Sequence, residues 1–413
     1  MSALLFRGAL LVDGLADEPR EGVDVLVVDE RIVEIGEPAI ATPDLPDLRV
    51  IELGGRTLMP GLIDAHVHPS VAEVAENPAR PMPASLKALY TRLELEAMLR
   101  RGFTTARDAG GCDAGIKMAL ELGLIDGPRL LIAGRALSQT GGHGDDRSVG
   151  DADPVPGAYP GEFGRIADGV DGVRLAARHE LRRGADHIKI CASGGVMSES
   201  DPVDATQYSE AEIRAIVDEA AARRTYVMAH AYGPDAIARA VRCGVRSIEH
   251  ANLIDAEAAA VAAEHGAFVV PTMATYELLA RAGAENGVEP RRLAKLGEVR
   301  AAGLGAFAIL RGAGVKVGFG TDLLGPHRAY QPLEFAIRAE VERAVDIVRS
   351  ATSVNADNLR RPDLGRVAVG ALADLIVVDG NPLANVTVLA RPEATLRLVV
   401  TSGRVRVDAL AAG

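Results

Sequence analysis

The stretch "GLIDAHVHPS", residues 61–70, joins an apolar run to two histidines one residue apart, His66 and His68. On a β-strand, positions i and i+2 face the same way, so the two imidazoles stand side by side at the end of an otherwise buried segment. Burying both is costly unless something binds them. A pair of hydrogen-bonded surface histidines is one reading. Half of a metal site is the other, imidazole being the commonest metal ligand.

The chain around this stretch separates the two readings. Downstream, short apolar runs alternate with helical stretches: "LIDAH", "FTTARD", "RLLIAG", "DHIKIC", "TYVMAH", "RSIEH", "AFVVPT" and "VKVGFGTD" read as strands. "SEAEIRAIVDEAA" and "PDAIARAVRCG" carry the i, i+3, i+4 apolar spacing of helices, the second closing on a glycine. Strand–helix units at this density predict an α/β fold, a (β/α)8 TIM barrel over residues 61–366. A doubly wound open sheet is the alternative, but it does not account for what stands at the strand ends. Residues 1–60 and 367–413 instead alternate short β-type runs with Gly/Asp turns, which predicts antiparallel strands forming a small β-sandwich domain from both chain ends. The Gly/Pro/Asp-rich run 144–164 reads as a long loop on the catalytic face.

The first predicted strand ends in His66 and His68, the fourth in Lys189, the fifth in His230, the sixth in His250 and the eighth in Asp322. In a barrel these ends meet at one face, where active sites are built. Taken singly, His230 reads as a satisfied core histidine and Asp322 as a helix cap; taken together, the six read as a metal-ligand set. An ammonium repels a divalent cation, so Lys189 fits the set only as a neutral amine that has reacted with carbon dioxide to give an anionic carbamate able to bridge two metals. The chain has five lysines among its 45 cations, which makes a lysine at this place notable. The alternative is a lysine paired with a carboxylate.

Composition sets the outer limits. Hydrophobic residues make up 48% and aromatic residues 3%, with no Trp, so the core is aliphatic and rich in Ala. The net charge, 45 − 57 = −12, disfavours nucleic-acid binding. No apolar run reaches the length of a membrane span, and "MSALLFRGALLVDG" lacks the pattern of a secretory signal, so a cytoplasmic location is expected. Cys112, Cys191 and Cys243 are an odd, scattered set rather than a disulfide framework.

On these residues the chain resembles the amidohydrolase superfamily of binuclear metal hydrolases, over nearly its whole length, including the tail "GALADLIVVDGNPL". "AGRALSQTGGHGD", "HIKICASGGVMSESDPVD", "YVMAHAYGPDAIARAVRCGVRSIEHANLID" and "GFGTDLLG" are similar to its Xaa-Pro dipeptidase and metallocarboxypeptidase-like group, related to imidazolonepropionases. That group cleaves dipeptides and N-acyl amino acids at the C-terminal residue. The resemblance implies two divalent ions, zinc foremost, one held by His66, His68 and Asp322 and the other by His230 and His250, with N6-carboxylysine at Lys189 between them. It implies that Asp322 carries a proton from the attacking water to the leaving nitrogen.

Tyr232, two residues past His230, is placed either to donate to the developing oxyanion or to pack on the rim. His143, in "TGGHGD", is by resemblance a donor to the substrate carboxylate; as a bare sequence feature it is equally a solvated loop histidine. Ser193, Gly194 and Gly195 follow Lys189 near the substrate. Cys191 reads as pocket wall, His187 as core, Asp108 as structural and His327 as a residue of the mouth, while His179 and His265 have no claim. The substrate is a small dipeptide or N-acyl amino acid and a homo-oligomer is expected. The leaving residue stays open between proline, an aromatic residue as in ochratoxin-type amides, and a basic one facing Glu199, Asp201 and Asp204. An imidazolone ring opener or a mononuclear deaminase has no use for a bridging lysine, and a non-catalytic scaffold none for an intact ligand set; a cyclic-amide or imidazolone-type hydrolase of the same superfamily is the alternative function.

Overall fold

The computed structural model describes residues 2–36, 40–45, 47–74, 82–145, 147, 163–198, 201–285 and 287–410; most of the loop 144–164, and Glu199, lie outside these. The chain opens with β1 (Ala3–Leu11), β2 (Arg20–Val28), β3 (Arg31–Gly36), β4 (Leu48–Glu52) and β5 (Thr57–Pro60). β1, β2 and β3 form an antiparallel meander, with Leu5 opposite Leu26 and Leu26 opposite Glu34. β4 and β5 then join the other edge of β1 and run parallel to it, a correction to the purely antiparallel expectation. The meander occupies one side of β1, so the chain crosses over to reach the other, and a strand reached by crossover enters parallel.

The middle of the chain contributes β6 (Leu62–Val67), β7 (Phe103–Asp108), β8 (Arg129–Leu131), β9 (Ala136–Ser138), β10 (Gly164–Ile166), β11 (Ile188–Cys191), β12 (Val227–Ala231), β13 (Ser247–His250), β14 (Phe268–Val270) and β15 (Lys316–Val317). They form two parallel sheets, β6-β7-β8 and β10-β9-β11-β12-β13-β14-β15. Every residue of β6, β7, β11, β12 and β13 is buried, as parallel strands covered on both faces require. Helices between them are held by local signals: Ser209 and Glu212 form a capping box before Glu210–Ala222, and Pro234 opens the helix that turns Ile237 and Val241 inward. Ala176, Ala215, Ala236 and Ala240 keep the helix faces thin, so they seat closely on the aliphatic strands. No helix of the described residues is long and apolar enough to cross a membrane.

Backbone hydrogen bonds join the edges of the two parallel sheets. Asp186 N–H donates to the Ile132 carbonyl (2.8 Å), and Ala65 N–H to that of Phe319 (2.9 Å). The predicted eighth strand is shorter than expected: β15 stops at Val317, and Asp322 follows on a segment that rejoins β6 through its N–H and the His66 carbonyl (2.9 Å). Glycine permits that approach, since a Cβ on Gly320 would lie 2.8 Å from the His66 Cβ.

The chain closes with β16 (Leu375–Val378), β17 (Leu396–Thr401) and β18 (Arg404–Asp408), which complete the first sheet in the order β18-β17-β16-β5-β1-β2-β3. β16 pairs antiparallel with β5, Ile376 opposite Met59, so both chain ends share one sheet over a core that includes Phe6, Val25, Leu58 and Leu398.

Asn355 stitches β6 to the segment after β15. Its Nδ2 donates to the carbonyls of Ile63 (2.7 Å) and Phe319 (2.8 Å), and its Oδ1 accepts from Phe319 N–H (3.1 Å). Asn355→Ala removes the partner of the Ile63 carbonyl and of the Phe319 N–H at about 1–3 kcal/mol each, while the Phe319 carbonyl keeps the Ala65 N–H. We expect a stability loss of about 2 kcal/mol or more by chemical denaturation; a loss below about 0.5 kcal/mol, the range of neutral surface changes, would show that this stitch does not hold the edge.

Candidate metal centre

Strand register assembles the site. Cys191 lies opposite His230 on the neighbouring strand, His230 opposite Glu249, and Ala231 opposite His250. Register partners in a parallel sheet face one side, so alternation puts Lys189, Cys191, His230 and Glu249 together and turns His250 away. The backbone reverses that last assignment. His250 (φ 74°) and Ala251 (φ 54°) adopt left-handed conformations, which residues with a Cβ rarely take and which tend to mark functional positions. The His250 ring centroid lies 4.6 Å from that of His230 and 4.9 Å from that of His66. Asp322 is also left-handed (φ 52°), with its Oδ1 3.4 Å from His66 Nε2 and 3.2 Å from His68 Nε2. Ligand atoms of His66, His68 and Asp322 all fall within 4.8 Å of one another.

Each imidazole has one nitrogen engaged by the framework. His66 Nδ1 lies 2.8 Å from Glu249 Oε2, His68 Nδ1 2.8 Å from the Gly110 carbonyl, His250 Nδ1 2.8 Å from Thr272 Oγ1, and His230 Nε2 3.0 Å from the Gly194 carbonyl. The remaining nitrogens, Nε2 of His66, His68 and His250 and Nδ1 of His230, are left for ligation, and such partners fix the tautomer that a metal needs. Burial, first among the causes, holds His66, His230 and His250 well below the ordinary imidazole range, so they are neutral. Burial alone would raise Asp322; its interactions with the facing His66 and His68 outweigh it and hold the carboxylate below its usual range.

Lys189 is 2% exposed, and burial pulls its amine below the usual lysine range against the pull of Glu249. No ion pair to it forms among the described residues, because Glu249 is taken by Arg107 (2.8 Å), Ser247 (2.6 Å) and His66. The lysine–carboxylate alternative is therefore not realised. A buried amine without a counter-ion among the described residues, near histidines with open nitrogens, is compatible with a carbamate, which would replace an uncompensated cation with an anion able to offset metal charge.

The sequence-predicted substrate residues lie around this centre. The His143 ring stacks on that of His230 (4.1 Å between centroids) and rests on Gly195, where a Cβ would sit 2.1 Å from His143 Nδ1. His143 Nδ1 is 3.2 Å from Ser198 Oγ, which donates to Asp201, and the His143 N–H donates to Gln207 Oε1 (2.9 Å). Burial lowers His143 to about 4. Tyr232 stacks on His250 at 5.2 Å, and its hydroxyl accepts from Tyr276 (3.0 Å), which leaves the Tyr232 proton available to donate. Ser193 and Gly194 are occupied by the framework. Ser193 Oγ donates to the Gly194 carbonyl (2.8 Å) and accepts from Tyr232 N–H (3.1 Å), while a Cβ on Gly194 would meet the Pro202 carbonyl at 1.8 Å.

His327 lines a small pocket beside His143 and Asp322 with Val196, Met197, Tyr276 and Leu279. His187 is buried below the site and donates through Nε2 to the Asp108 carbonyl (3.0 Å); burial raises Asp108 to about 7. The three cysteines are buried thiols. Sequence reasoning missed Glu249, Arg107, Tyr276 and Asp64, whose Oδ1 accepts from His66 N–H (3.1 Å). A signal for Glu249 existed: it is the charged residue inside the apolar strand "RSIEH" and falls on the face of His230.

The sequence matches the amidohydrolase family over residues 57–406, most of its length. The chain belongs to the amidohydrolase family. This amidohydrolase is 34% identical to ochratoxinase from Aspergillus niger, over 95% of its own length and 84% of that protein. It is similar, at 48% identity and a TM-score of 0.93, to the crystal structure of a prolidase complexed with N-methylphosphonate-L-proline, covering 98% of this chain and 100% of that one. A Xaa-Pro dipeptidase with methionine bound in its active site follows at 30% identity and a TM-score of 0.88, again covering 98% and 100%. The amidohydrolase is an enzyme, a hydrolase acting on amide bonds.

Glu249→Gln keeps the shape of the side chain and removes the charge that orients His66. Loss of such a partner lowers metal affinity by about 10–100-fold, which competition with a chelator measures on the folded variant. Unchanged affinity would mean that His66 is oriented by other contacts.

Proposed function

We propose that this enzyme is a binuclear metal hydrolase that releases the C-terminal residue of dipeptides or N-acyl amino acids. The site sits on a (β/α)8 barrel at residues 61–366, with residues 1–60 and 367–413 as a small β-sandwich domain. The observation that carries the reading is Lys189, a buried amine without a counter-ion among the described residues, whose charge is felt by His66, His230 and His250. His66, His68 and Asp322 would hold one ion, His230 and His250 the other, and carboxylated Lys189 both, zinc being the expected metal for this donor set.

When bound, such ions supply a polarised carbonyl and a water of lowered pKa. The chain's own residues do the rest. Asp322, kept ionised, is the base that takes the proton of the attacking water and delivers it to the leaving nitrogen. Tyr232, whose oxygen already accepts from Tyr276, donates its proton toward the oxygen that gains charge. His143 borders the pocket with its Nδ1 engaged by Ser198, and it donates through Nε2 to the substrate carboxylate once that anion draws a proton onto the ring. The apolar wall of Val196, Met197 and Leu279 suits a neutral side chain. A basic one has little support from Asp201, whose carboxylate is already engaged by Ser198 and by Gln207 (2.7 Å). The ochratoxinase and prolidase among the relatives are in keeping with an amide whose leaving part is an amino acid.

Two measurements test this. Lys189→Ala is expected to lower bound metal below two per chain and to cut turnover by at least about 10²-fold, as when a catalytic group is lost, with small carboxylates restoring part of both. Full metal content and turnover in that variant would remove Lys189 from the site. Separately, an N-acyl amino acid is compared with its C-terminal amide, in the parent and in His143→Ala. A charge-assisted hydrogen bond of roughly 1.5–3 kcal/mol predicts a preference for the free acid of about 10–150-fold that the variant largely loses. Equal cleavage of acid and amide would favour the cyclic-amide reading instead.

A further inference from the structure

A second cavity, of about 680 Å3, opens at the opposite ends of the strands from His230 and His250, within the size range of small-molecule sites. Thr104 near the start of β7, Asp186 ahead of β11, Tyr226 ahead of β12 and Ser402 in the turn between β17 and β18 border it. Part of its basic lining is paired: Lys117 with Asp186 (2.6 Å), Arg129 with Asp374 (3.5 Å), Arg361 with Asp363 (2.8 Å) and Arg406 with Asp126 (3.1 Å). Arg223, Arg224 and Arg360 line the same cavity and form no ion pair among the described residues. Among the described residues Arg360 donates to the carbonyls of Arg224 (3.4 Å) and Thr225 (3.2 Å) and lies over the Tyr226 ring (5.6 Å), with no carboxylate beside it. Glu121 is the one other acid in the wall.

The helix ends point the same way. After six helices the chain turns left-handed at a glycine, Gly102, Gly123, Gly184, Gly244, Gly266 and Gly314, the residue that takes this conformation without strain. After Glu210–Ala222 and after Asn355–Asn358 the same place is held by arginine, Arg224 (φ 57°) and Arg360 (φ 56°). Favourable interaction with the helix dipole would be met by cations elsewhere in the last turn, without the strain. Two strained arginines that meet at one cavity, beside a third without a carboxylate, are accounted for by a ligand for their guanidinium groups.

We propose that this cavity binds a phosphate-bearing small molecule, held by Arg223, Arg224 and Arg360. Guanidinium forks match phosphate oxygens two at a time, and a phosphate monoester brings close to two charges and three acceptor oxygens, against the single charge of a carboxylate.

The test is titration calorimetry of the full-length, metal-loaded protein with inorganic phosphate, and with acetate at equal ionic strength. Phosphate is expected to bind saturably, and the double substitution Arg224→Gly and Arg360→Gly to weaken it by at least about tenfold, the loss expected for one charge-assisted contact. The same variant is expected to unfold at an unchanged or higher temperature, because glycine relieves both left-handed positions, and to hydrolyse N-acyl amino acids at the parental rate. Arg223 has ordinary backbone angles, so Arg223→Gln gives the same reading if the double variant does not fold. Phosphate binding that is absent, that is unaffected by these substitutions (as it would be if held at the metal centre), or that acetate matches would overturn the proposal.

Discussion

A carboxylate with no exposure to water lies beneath the ligand histidines, and the site depends on it. Glu249, on β13, takes Arg107 from β7, Ser247 from its own strand and His66 from β6. Arg107 Nε in turn donates to the Ala65 carbonyl (2.6 Å), one residue before His66. Three strands distant in sequence are thus tied by one buried ion pair. Such a pair adds little stability compared with well-packed apolar residues, yet loss of one partner costs about 3–5 kcal/mol because the other charge is stranded. Its value is positional: it fixes where His66 points, and by occupying Glu249 it leaves Lys189 without a counter-ion.

The backbone at the site is shaped by the same demand. His250 and Asp322 both adopt left-handed conformations that are uncommon outside glycine. Regular strand alternation would send His250 to the wrong side. The kink places a fourth imidazole beside the other three at a local cost of order 1–3 kcal/mol, the kind of strain that persists only where surrounding contacts over-determine it. Here those contacts are Thr272 at His250 Nδ1 and the His66 carbonyl at the Asp322 amide.

Much of this was legible in the sequence. The alternation of apolar runs with helical spacing located the parallel strands. The polar residues at their ends pointed to a candidate cluster, of which His66, His68 and Asp322 do come together, because an imidazole or amine at the end of a buried strand is costly until a ligand or partner compensates it. What stayed hidden depends on geometry that side-chain patterns do not encode. Period-2 reasoning put His250 at a strand end but not the turn that aims it. Glu249 reads as an exception inside an apolar strand until register places it beside His230. Tyr276 sits on the buried face of a helix, where an aromatic residue is ordinarily packing, and its partnership with Tyr232 spans 44 residues. The parallel entry of β4 and β5 followed from a crossover, and crossovers leave no mark in local composition.

The first sheet carries a consequence for how the chain is made. β5 lies between β1, from the first residues, and β16, which begins at Leu375. During synthesis the β5 edge, with Leu58 and Met59, is complete long before its partner leaves the ribosome, and more than three hundred residues must emerge in between. For that interval it is an unpaired apolar strand edge, the feature through which nascent chains associate with one another. Early folding of the inserted parallel sheets, which brings β6 and its flank β5 under cover, shortens the exposure, so the order of folding matters to the yield of this enzyme as much as its final stability does.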